Sequence, residues 1–382
     1  MSKNILVPSL RFKEFTHAWE QDQIKELFNI TRGYVLATKD IFQSQNGENI
    51  YPVYSSQTLN NGLLGYYKKI SFEDAITWTT DGANAGTVNY REGKFYSINS
   101  LWCFIREKNI NLTYFLLTHY KTSHLNFVMR AGNPKLMNNT VADITIKVTS
   151  SVLEQQKISH LFTSLDSILS LHQRKYNFLM NIKSTLLSKM FPDQNSKFPN
   201  IRFSEFTHAW EQDQIKELFN ITRGYVLATK DIFQSQNGEN IYPVYSSQTL
   251  NNGLLGYYKK FLLKMLLHEP PMEQNAGTVN YREGKFYSIN VCGVLLEKKY
   301  KPNLFLAHSL QNESFKFVMR AGNPKLMNNT VADITIKVTS SVLEQQKISH
   351  LFTSLDSILS LHQRQLQIIK NIKKKLLEGM FI

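Results

Sequence analysis

Cysteine, long apolar runs and a secretion signal are scarce or missing in this chain. Cys103 and Cys292 are its two cysteines among 382 residues, which excludes a disulfide framework or a cysteine-type metal cluster. No apolar run reaches the roughly 18 residues that a membrane-spanning helix needs. The first residues, Met1–Asn4, have no apolar signal core, so we expect a cytoplasmic protein that does not enter a membrane.

The motifs that mark common enzyme sites are also missing. There is no GxxxxGK[ST] phosphate loop, no HExxH or CxxC metal motif and no GxSxG nucleophile turn. Asn133-Pro134-Lys135 superficially resembles the NPP-aromatic motif of adenine methyltransferases, but the second proline and the aromatic residue are lacking, and no glycine-rich cofactor loop precedes it. We therefore predict a chain with no catalysis, cofactor or metal of its own.

Acidic residues are few relative to basic ones. The chain has 30 Asp and Glu against 44 Lys and Arg, a formal net charge of +14 and a pI near 9.5. This balance favours a polyanion as partner, with nucleic acid expected before a membrane surface. The hydrophobic content of 42% is ordinary for a globular protein and argues against disorder.

The chain contains nearly the same sequence twice. Three stretches repeat, the first two at an offset of 191 residues and the third at 190: Glu14–Lys69 as Glu205–Lys260, Asn84–Asn99 as Asn275–Asn290, and Phe127–Arg174 as Phe317–Arg364. This period is far longer than one solenoid unit, so each copy is predicted to be a domain with its own appended segment. Two like domains indicate two like ligand sites.

Two blocks interrupt the repeat. Codons can be chosen for Thr79–Ala83 that, read one base later, encode the residues of Pro270–Gln274. The same operation converts Leu101–Lys108 into Cys292–Lys299. We infer that the copies were once near-identical DNA and that each now carries a stretch in a changed reading frame, although two loops that diverged independently are the other interpretation. The altered blocks are residues 101–126 in copy 1 and 261–274 in copy 2.

Each copy divides into a mixed first part and a helical second part. Thr87–Tyr90 and Ala142–Val148 have the composition or the alternation of strands. We predict an α+β fold with two repeated globular domains separated by two long helices that form an antiparallel coiled coil. The predicted boundaries are a first domain at 1–148, a spacer helix at 149–192, a linker at 193–200, a second domain at 201–338 and a second spacer helix at 339–382.

The helical part begins with a predicted capping box, in which the Ser151 hydroxyl accepts from an early helix N–H and Glu154 reaches back. Apolar residues then recur three and four residues apart, which predicts a helix of roughly 40 residues that needs a partner helix. His172 and His362 fall in the same seam, either as polar positions that fix the register or as a pH sensor or ligand. The predicted seam residues are Ile158, Leu161, Leu165, Ile168, Leu179, Ile182, Ile348, Leu351, Leu355, Ile358, Ile369 and Ile372.

Short motifs mark both copies. Each begins with Pro-x-x-Arg-Phe-x-x-Phe-x-x-x-Trp, contains Tyr-Ser-Ser-Gln-Thr and Arg-Ala-Gly-Asn-Pro-Lys-Leu, and ends with Leu-Leu-x-x-Met-Phe. They lie at Pro8–Trp19, Tyr54–Thr58, Arg130–Leu136 and Leu186–Phe191, and again at Pro199–Trp210, Tyr245–Thr249, Arg320–Leu326 and Leu376–Phe381. With its order domain–helix–domain–helix, nearly the whole chain resembles the specificity subunit of type I restriction–modification systems.

The resemblance implies that each globular part is a target recognition domain that reads one half of a bipartite site in double-stranded DNA. It implies that the helices set the gap between the half-sites and dock methylation subunits, of which we expect two, and that a restriction subunit joins them. S-adenosylmethionine and ATP are then expected in those partner subunits. The family pattern is interrupted in each copy, since copy 1 lacks the pattern of Asn290–Leu295 and copy 2 lacks that of Trp78–Ala83.

Two polar clusters in each copy are candidate DNA contacts, because amides and hydroxyls can pair with base edges and lysines suit phosphates. The first cluster is Ser55, Ser56, Gln57, Asn60, Asn61, Lys68 and Lys69, repeated as Ser246, Ser247, Gln248, Asn251, Asn252, Lys259 and Lys260. The second cluster is Arg130, Asn133, Lys135, Asn138 and Asn139, repeated as Arg320, Asn323, Lys325, Asn328 and Asn329. An ordinary turn with surface lysines explains the first equally well, and loop capping before a strand explains the second.

We expect a DNA-sequence recognition subunit without catalysis. Two other interpretations stay open: a degenerate protein whose helices still bind a methylation subunit but which no longer binds DNA, and a coiled-coil scaffold. Because the copies are nearly identical, an active chain is expected to read a target close to an interrupted palindrome.

Overall fold

The computed structural model divides the chain into two compact units. Unit 1 contains Met1–Gln173 and Arg364–Ile382, and unit 2 contains Arg174–Gln363. The structure describes residues 6–57, 59–82, 84–105, 128–129, 134–246, 250–261, 263–269, 276–290, 292–320 and 326–381, with the backbone alone at 59, 250–251 and 263–269. Each unit contains one part of each long helix, because the boundaries between the units fall inside the two helices.

Both copies have short strands first and one long helix last, and copy 2 shows one further helix, at Leu304–Ser314, where the corresponding residues of copy 1 lie outside the described ranges. Copy 1 has β1 Glu20–Gln23, α1 Ile24–Leu27, β2 Asn29–Arg32, β3 Tyr51–Tyr54, β4 Leu63–Tyr67, β5 Phe72–Thr79, β6 Val88–Ser97, β7 Leu101–Ile105, α2 Asn138–Ala142, β8 Thr145–Val148 and α3 Val152–Lys189. Copy 2 has β9 Glu211–Gln214, α4 Ile215–Leu218, β10 Phe219–Arg223, β11 Tyr242–Tyr245, β12 Leu254–Tyr258, β13 Leu263–Glu269, β14 Asn280–Ser288, β15 Gly293–Glu297, α5 Leu304–Ser314, α6 Asn328–Asp333, β16 Thr335–Val338 and α7 Val342–Met380.

Each unit is built on a six-stranded sheet with a small two-stranded sheet beside it. The strand order is β2-β7-β5-β6-β3-β4 in unit 1 and β10-β15-β13-β14-β11-β12 in unit 2. All pairs in these sheets are antiparallel except β3 with β6 and β11 with β14. The predicted α+β class is confirmed, and Ile144, Ile146 and Val148 are buried as the alternation before the long helix predicts.

The strands that the structure describes within the altered blocks and their counterparts occupy the same places in the two sheets. Phe72 pairs with Phe95 in unit 1, and Leu263 pairs with Phe286 at the equivalent position of unit 2. Likewise Ile30 pairs with Phe104, and Ile221 pairs with Leu295. A strand needs apolar residues at alternating positions rather than one particular sequence, so a block read in another frame still completes the ladder.

The long helices run antiparallel within each unit. In unit 1, Phe162 of α3 packs 5.9 Å from Phe381, and Asp166 pairs with Lys373 of α7. The partner number falls as the α3 number rises, which is the mark of an antiparallel pair. The coiled-coil prediction is confirmed in this respect, and unit 2 repeats the arrangement with Lys183 of α3 and Asp356 of α7.

The helix ends complete the domain cores. Phe191, just beyond α3, lies in the core of unit 2 with its ring 5.8 Å from Trp210 and 6.4 Å from Phe352. Phe381, just beyond α7, lies in the core of unit 1 with its ring 6.0 Å from Trp19. The Leu-Leu-x-x-Met-Phe motif therefore anchors the end of each helix in a domain built mainly by the other copy.

The buried stripe of the helices differs from the predicted seam at three positions. Ile168, Ile358 and Ile372 are 42%, 41% and 45% exposed. In α7 the inward side chain next to Ile358 is Leu359, which is 6% exposed. Two adjacent apolar residues satisfy a spacing of three or four equally well, so the sequence alone does not choose between them. At the third position Lys373 faces inward, and its amine pairs with Asp166.

The other predicted seam residues lie on the inward side of the helices. Ile158, Ile348 and Leu355 are buried, while Leu161, Leu165, Leu179, Ile182, Leu351 and Ile369 are half-buried. Ile158 and Ile348 belong to the domain cores, because the first turns of each helix pack on their own domain.

Only half of the predicted capping box is present. The Ser151 hydroxyl accepts from the Glu154 backbone N–H at 3.4 Å, as predicted. The Glu154 carboxylate does not reach back; it accepts from Nε and Nη2 of Arg11 at 2.6 and 2.8 Å and from the Thr149 hydroxyl. A fully buried carboxylate needs a cation more than it needs a backbone amide, so the arginine of the entry motif ties the helix to its domain.

Candidate nucleic-acid interface

The loop that joins β3 to β4 contains three consecutive residues with left-handed backbone. Asn60, Asn61 and Gly62 have φ of 49°, 55° and 84°. Left-handed backbone costs a residue with a side chain about 1 kcal/mol, and asparagine tolerates it better than most residues. In unit 2, Asn252 and Gly253 repeat the conformation with φ of 54° and 81°. We call this segment, residues 55–62 and 246–253, the asparagine loop, and describe it from the residues other than 58 and 247–249.

Hydrogen bonds from the loop's own ends fix its shape. The Ser55 N–H donates to the Gly62 carbonyl at 2.9 Å, and the Gln57 side-chain amide donates to the Leu63 carbonyl at 2.8 Å. A Cβ atom at Gly62 would lie 2.7 Å from the Ser55 carbonyl oxygen, so glycine is required there for space as well as for its positive φ. The loop is thus a closed turn that holds its exposed side chains in place.

A buried arginine supports each asparagine loop from below. Arg91 is 3% exposed and donates from Nη1 to the Asn61 carbonyl at 2.7 Å and from Nε to the Thr77 hydroxyl at 3.2 Å. Its guanidinium lies 3.9 Å from the centre of the Tyr54 ring. Burial lowers the pKa of Arg91, against the smaller opposing effect of Tyr54 and Cys103.

The structure presents most of the first predicted cluster to solvent. The exposed members are Gln57, Asn60, Asn61, Lys68, Lys69, Asn252, Lys259 and Lys260, with Ser56 half-buried. Ser247 and Gln248 lie outside the described residues, as does the side chain of Asn251.

Two serines of the first cluster do not fit the prediction. Ser55 and Ser246 are only 7% and 6% exposed. The Ser55 hydroxyl accepts from the Gln57 N–H at 3.3 Å, so it shapes the turn and is poorly placed to meet a ligand. A short polar side chain at a turn is as often used by its own backbone as by a ligand, which the sequence could not distinguish.

The second predicted cluster lies around the helices α2 and α6. Lys135, Asn139, Arg320 and Asn329 are exposed, whereas Asn138 and Asn328 are half-buried. Lys135 lies 3.9 Å from Asp81 in an exposed ion pair, and Asn328 donates to the Thr222 carbonyl at 3.4 Å. Arg130, Asn133, Asn323 and Lys325 lie outside the described residues. Within the described chain no hydrogen bond or ion pair joins this cluster to the asparagine loop.

An exposed apolar tip lies beside the asparagine loop and was not predicted from the sequence. Val35 is 80% exposed and Val226 is 79% exposed, each preceded by a half-exposed tyrosine. A Cβ atom at Gly33 would lie 2.2 Å from the Ile98 carbonyl oxygen, so glycine allows this tip to press on the β6–β7 connection. That connection also touches the asparagine loop, because Ser100 accepts from the Ser56 N–H at 3.2 Å. The sequence feature that could have marked this tip is Gly33 followed by Tyr34 and Val35, a glycine before apolar residues that show no strand alternation.

Neither cysteine is placed for chemistry at this surface. Cys103 and Cys292 are buried at 0% and 1% exposure, and burial raises the pKa of both to about 12. They are free thiols that behave as small apolar side chains. Among the described residues no group of three His, Cys, Asp or Glu side chains could hold a metal ion, and no helix is long and apolar enough to cross a membrane.

The first turns of the long helices carry a second feature that both units share. An open groove of about 560 Å³ in unit 2 is lined by Phe203, Gln346, Lys347, His350, Leu351 and Ser354. A groove of about 530 Å³ in unit 1 is lined by Phe12, Leu153, Gln156, Lys157, His160, Leu161 and Ser164. Each groove lies between the phenylalanine of the entry motif and the first part of the helix that this motif anchors.

Known proteins share both the sequence and the fold of this chain. The sequence matches the family described as Type I restriction modification DNA specificity domain twice, at residues 17–181 and 208–371. A protein of Mycoplasma pneumoniae named as a type I specificity subunit is 26% identical over 300 residues, which is 77% of each chain. The specificity subunit of the type I restriction enzyme MpnII, from the same organism, is 35% identical over 153 residues, which is 39% of this chain and 44% of that protein.

The fold is similar to the crystal structure of the S subunit of a type I restriction–modification system from M. genitalium. The TM-score is 0.73 at 16% sequence identity, and the match covers 98% of this chain and 99% of that one. At this identity the likeness concerns the fold alone, whereas the two sequence matches span both repeated copies. The chain therefore belongs to the family of type I restriction modification DNA specificity domains.

Proposed function

We propose that the chain is the DNA-recognition subunit of a type I restriction–modification complex, that it reads a bipartite target in double-stranded DNA, and that it performs no catalysis itself. The observation that carries the proposal is the asparagine loop, which occurs once in each domain. Asn60 and Asn61 are exposed on a turn fixed by its own hydrogen bonds, and Lys68 and Lys69 lie just beyond the end of the next strand, β4. Amide side chains can form paired hydrogen bonds with adenine, while lysines neutralise phosphates.

The altered blocks support an active protein over a degenerate one. Strands β5 and β13 have unrelated sequences yet keep equivalent partners, Phe95 and Phe286. Strands β7 and β15 likewise keep theirs. A domain whose sheet is complete in both copies can still present its loops, so the changed frame is expected to alter what is read more than whether DNA is bound.

The partner subunits supply the chemistry in this proposal. We assign the two equivalent grooves beside Phe12 and Phe203 to two methylation subunits, because identical sequence in both copies gives two like surfaces. S-adenosylmethionine is then bound by the methylation subunits and ATP by a restriction subunit, with no cofactor in this chain. A double variant, His160→Glu with His350→Glu, should weaken assembly with the methylation subunit while the folding of the chain is retained.

The target is proposed to be close to an interrupted palindrome. The asparagine loops of the two copies are identical in sequence, and the helix contacts run antiparallel in each unit. An antiparallel pair of like helices has a twofold axis, and like surfaces related by a twofold axis read inverted copies of one half-site. Any asymmetry of the target is expected to come from the altered blocks.

The proposal is tested by binding of the chain, assembled with its methylation subunits, to a pool of random duplexes. Binding should enrich one sequence, and the affinity should fall by about a thousandfold between 50 and 200 mM salt if roughly six phosphates are contacted. A double variant, Asn60→Ala with Asn251→Ala, should lose most of the preference but keep the salt dependence. Asn195→Ala, an exposed asparagine of the linker, is the matched control. Binding that enriches nothing and ignores salt would favour the scaffold interpretation.

A further inference from the structure

Each domain buries an arginine that has no carboxylate partner among the described residues. Arg91 is 3% exposed and Arg282 is 7% exposed, and none of the ion pairs in the described chain includes either one. A buried charge without a counter-ion destabilises a domain unless other groups solvate it. The position therefore needs a reason other than stability.

The groups that solvate these arginines belong to the asparagine loop or lie directly beneath it. Arg91 donates to the Asn61 carbonyl at 2.7 Å, and its Nη2 atom would be 3.1 Å from a Cβ atom at Gly62. Arg282 donates to the carbonyl of Asn252, and its Nη2 atom is 3.4 Å from the Asn252 side-chain oxygen. In both units the guanidinium holds the backbone of the residue whose side chain is presented to solvent.

The shape of the guanidinium suits this task. Arg91 uses Nη1 for the Asn61 carbonyl, Nε for the Thr77 hydroxyl and its flat face for the Tyr54 ring, so it is fixed in three directions. Arg282 keeps the stacking, at 4.1 Å from the Tyr245 ring. A lysine in the same place has a single flexible nitrogen and cannot form this fork.

We propose that Arg91 and Arg282 are positioning residues for sequence readout: each holds its asparagine loop in the left-handed turn that aims the exposed asparagines at base edges, without touching DNA itself. The inference rests on the proposed function for the DNA part only. The effect of the arginines on the loop can be measured without DNA. The positioning role and the proposed function can therefore fail separately.

The first test is amide hydrogen exchange of the full chain carrying Arg91→Lys and Arg282→Lys together. Both loops must be changed, because Glu14–Lys69 and Glu205–Lys260 are identical and their peptides cannot be told apart by mass. Exchange in the loop peptide should rise about tenfold or more, while peptides of the long helices stay unchanged. Lys25→Met with Lys216→Met, which breaks one exposed ion pair in each unit and leaves both buried arginines in place, is the control.

Unchanged amide exchange of the loop peptide in the arginine variant would overturn the proposed positioning role. If the double variant does not fold, Arg91→Lys alone leaves unit 2 intact. The loop peptide has the same sequence in both copies, so it should then show two equal populations, a fast-exchanging one from unit 1 and a slow one from unit 2. A single slow population would again overturn the positioning role.

The second test measures DNA discrimination by the complex with its methylation subunits. A second double variant, Arg91→Gln with Arg282→Gln, which removes both charges, should lose about tenfold or more of the preference for the target over a duplex with one changed base pair, with the salt slope unchanged, since a buried arginine contacts no phosphate. A salt slope smaller by about two, one for each arginine, would mean direct phosphate contact and would overturn the positioning role. The unaltered chain could show no preference among duplexes while amide exchange in the loop still rises in the arginine variant. In that case the proposed function fails, and the role of the arginines in holding the loop stands.

Discussion

Single glycines and asparagines decide the shape of the candidate reading surface. Asn60, Asn61 and Gly62 all adopt left-handed backbone, and the last of them also has no room for a Cβ atom. The two asparagines tolerate this backbone better than most residues do, whereas the glycine cannot be replaced because a Cβ atom has no room there. This division between presenting and supporting residues is a feature that side-chain type alone does not reveal.

Gly62→Ala is predicted to destabilise unit 1 by roughly 1–3 kcal/mol, because the methyl group would meet the Ser55 carbonyl at 2.7 Å in an unfavourable backbone region. Gly47→Ala is the matched control, since nothing lies within 4 Å of a Cβ atom there. Chemical denaturation of both variants measures the difference. Equal stability of the two variants would contradict the geometry of the loop.

His308 of α5 is a second residue whose chemistry depends on its place. Its ring lies 4.9 Å from Phe352 and 6.4 Å from Phe191, and burial lowers its pKa from 6.5 to about 4. Lys183 lowers the pKa further, while Asp356 raises it. A histidine held neutral by burial stabilises the fold above its ordinary pKa, and this contribution is lost as the pH falls from about 6.5 towards 4.

His308→Phe is therefore predicted to remove an acid sensitivity of unit 2 that is on the order of 3 kcal/mol across this range. The variant fits because both neighbours are aromatic. Unfolding free energies of the two proteins at pH 7 and pH 4.5 give the comparison. The same loss of stability in both would show that His308 does not carry the effect.

At the scale of elements, the long helices could be predicted from the sequence and their inward faces only in part. The spacing of apolar residues predicted both helices and that each needs a partner helix, while the antiparallel direction was expected because the chain continues from the first helix into a second globular domain. It placed Ile358 in the seam, whereas the structure buries Leu359, because neighbouring apolar residues satisfy one spacing equally. The capping box was half right for a similar reason, since Glu154 had a stronger partner in Arg11, 143 residues away.

Leu359→Asp should destabilise the helix pair of unit 2 by several kcal/mol, because it places a charge in the buried stripe. Ile358→Asp, one residue away and 41% exposed, should cost less than about 1 kcal/mol. Thermal unfolding of the pair of variants decides between the two faces. A larger loss for Ile358 would mean that the predicted seam was right, and similar losses would contradict the buried stripe that the structure shows.

The candidate site shows the same limit. The sequence indicated the exposed asparagines and lysines of the first cluster, because their residue types suit DNA. It could not indicate Arg91, which is 30 residues from Asn61 in the chain and meets it only when β6 packs beneath the loop. It also assigned Ser55 to the ligand, although the hydroxyl accepts from its own turn. Contacts between distant segments decide such roles.

At the scale of the whole molecule, duplication is the dominant fact. The two units repeat one sheet order, one buried arginine and one groove, and they differ in sequence mainly in the altered blocks. A net charge of +14 gives both a general attraction to a polyanion. In the proposed function specificity comes from the loops, so two identical loops are expected to read the same bases.

Methylation mapping tests this central claim most directly. The chain is expressed together with its methylation subunits in cells without another methylation system, and modified bases are located by single-molecule sequencing of the genome. The account predicts one bipartite target whose two halves are close to inverted copies of each other. Two clearly unrelated half-sites, or a genome with no new methylation, would contradict it.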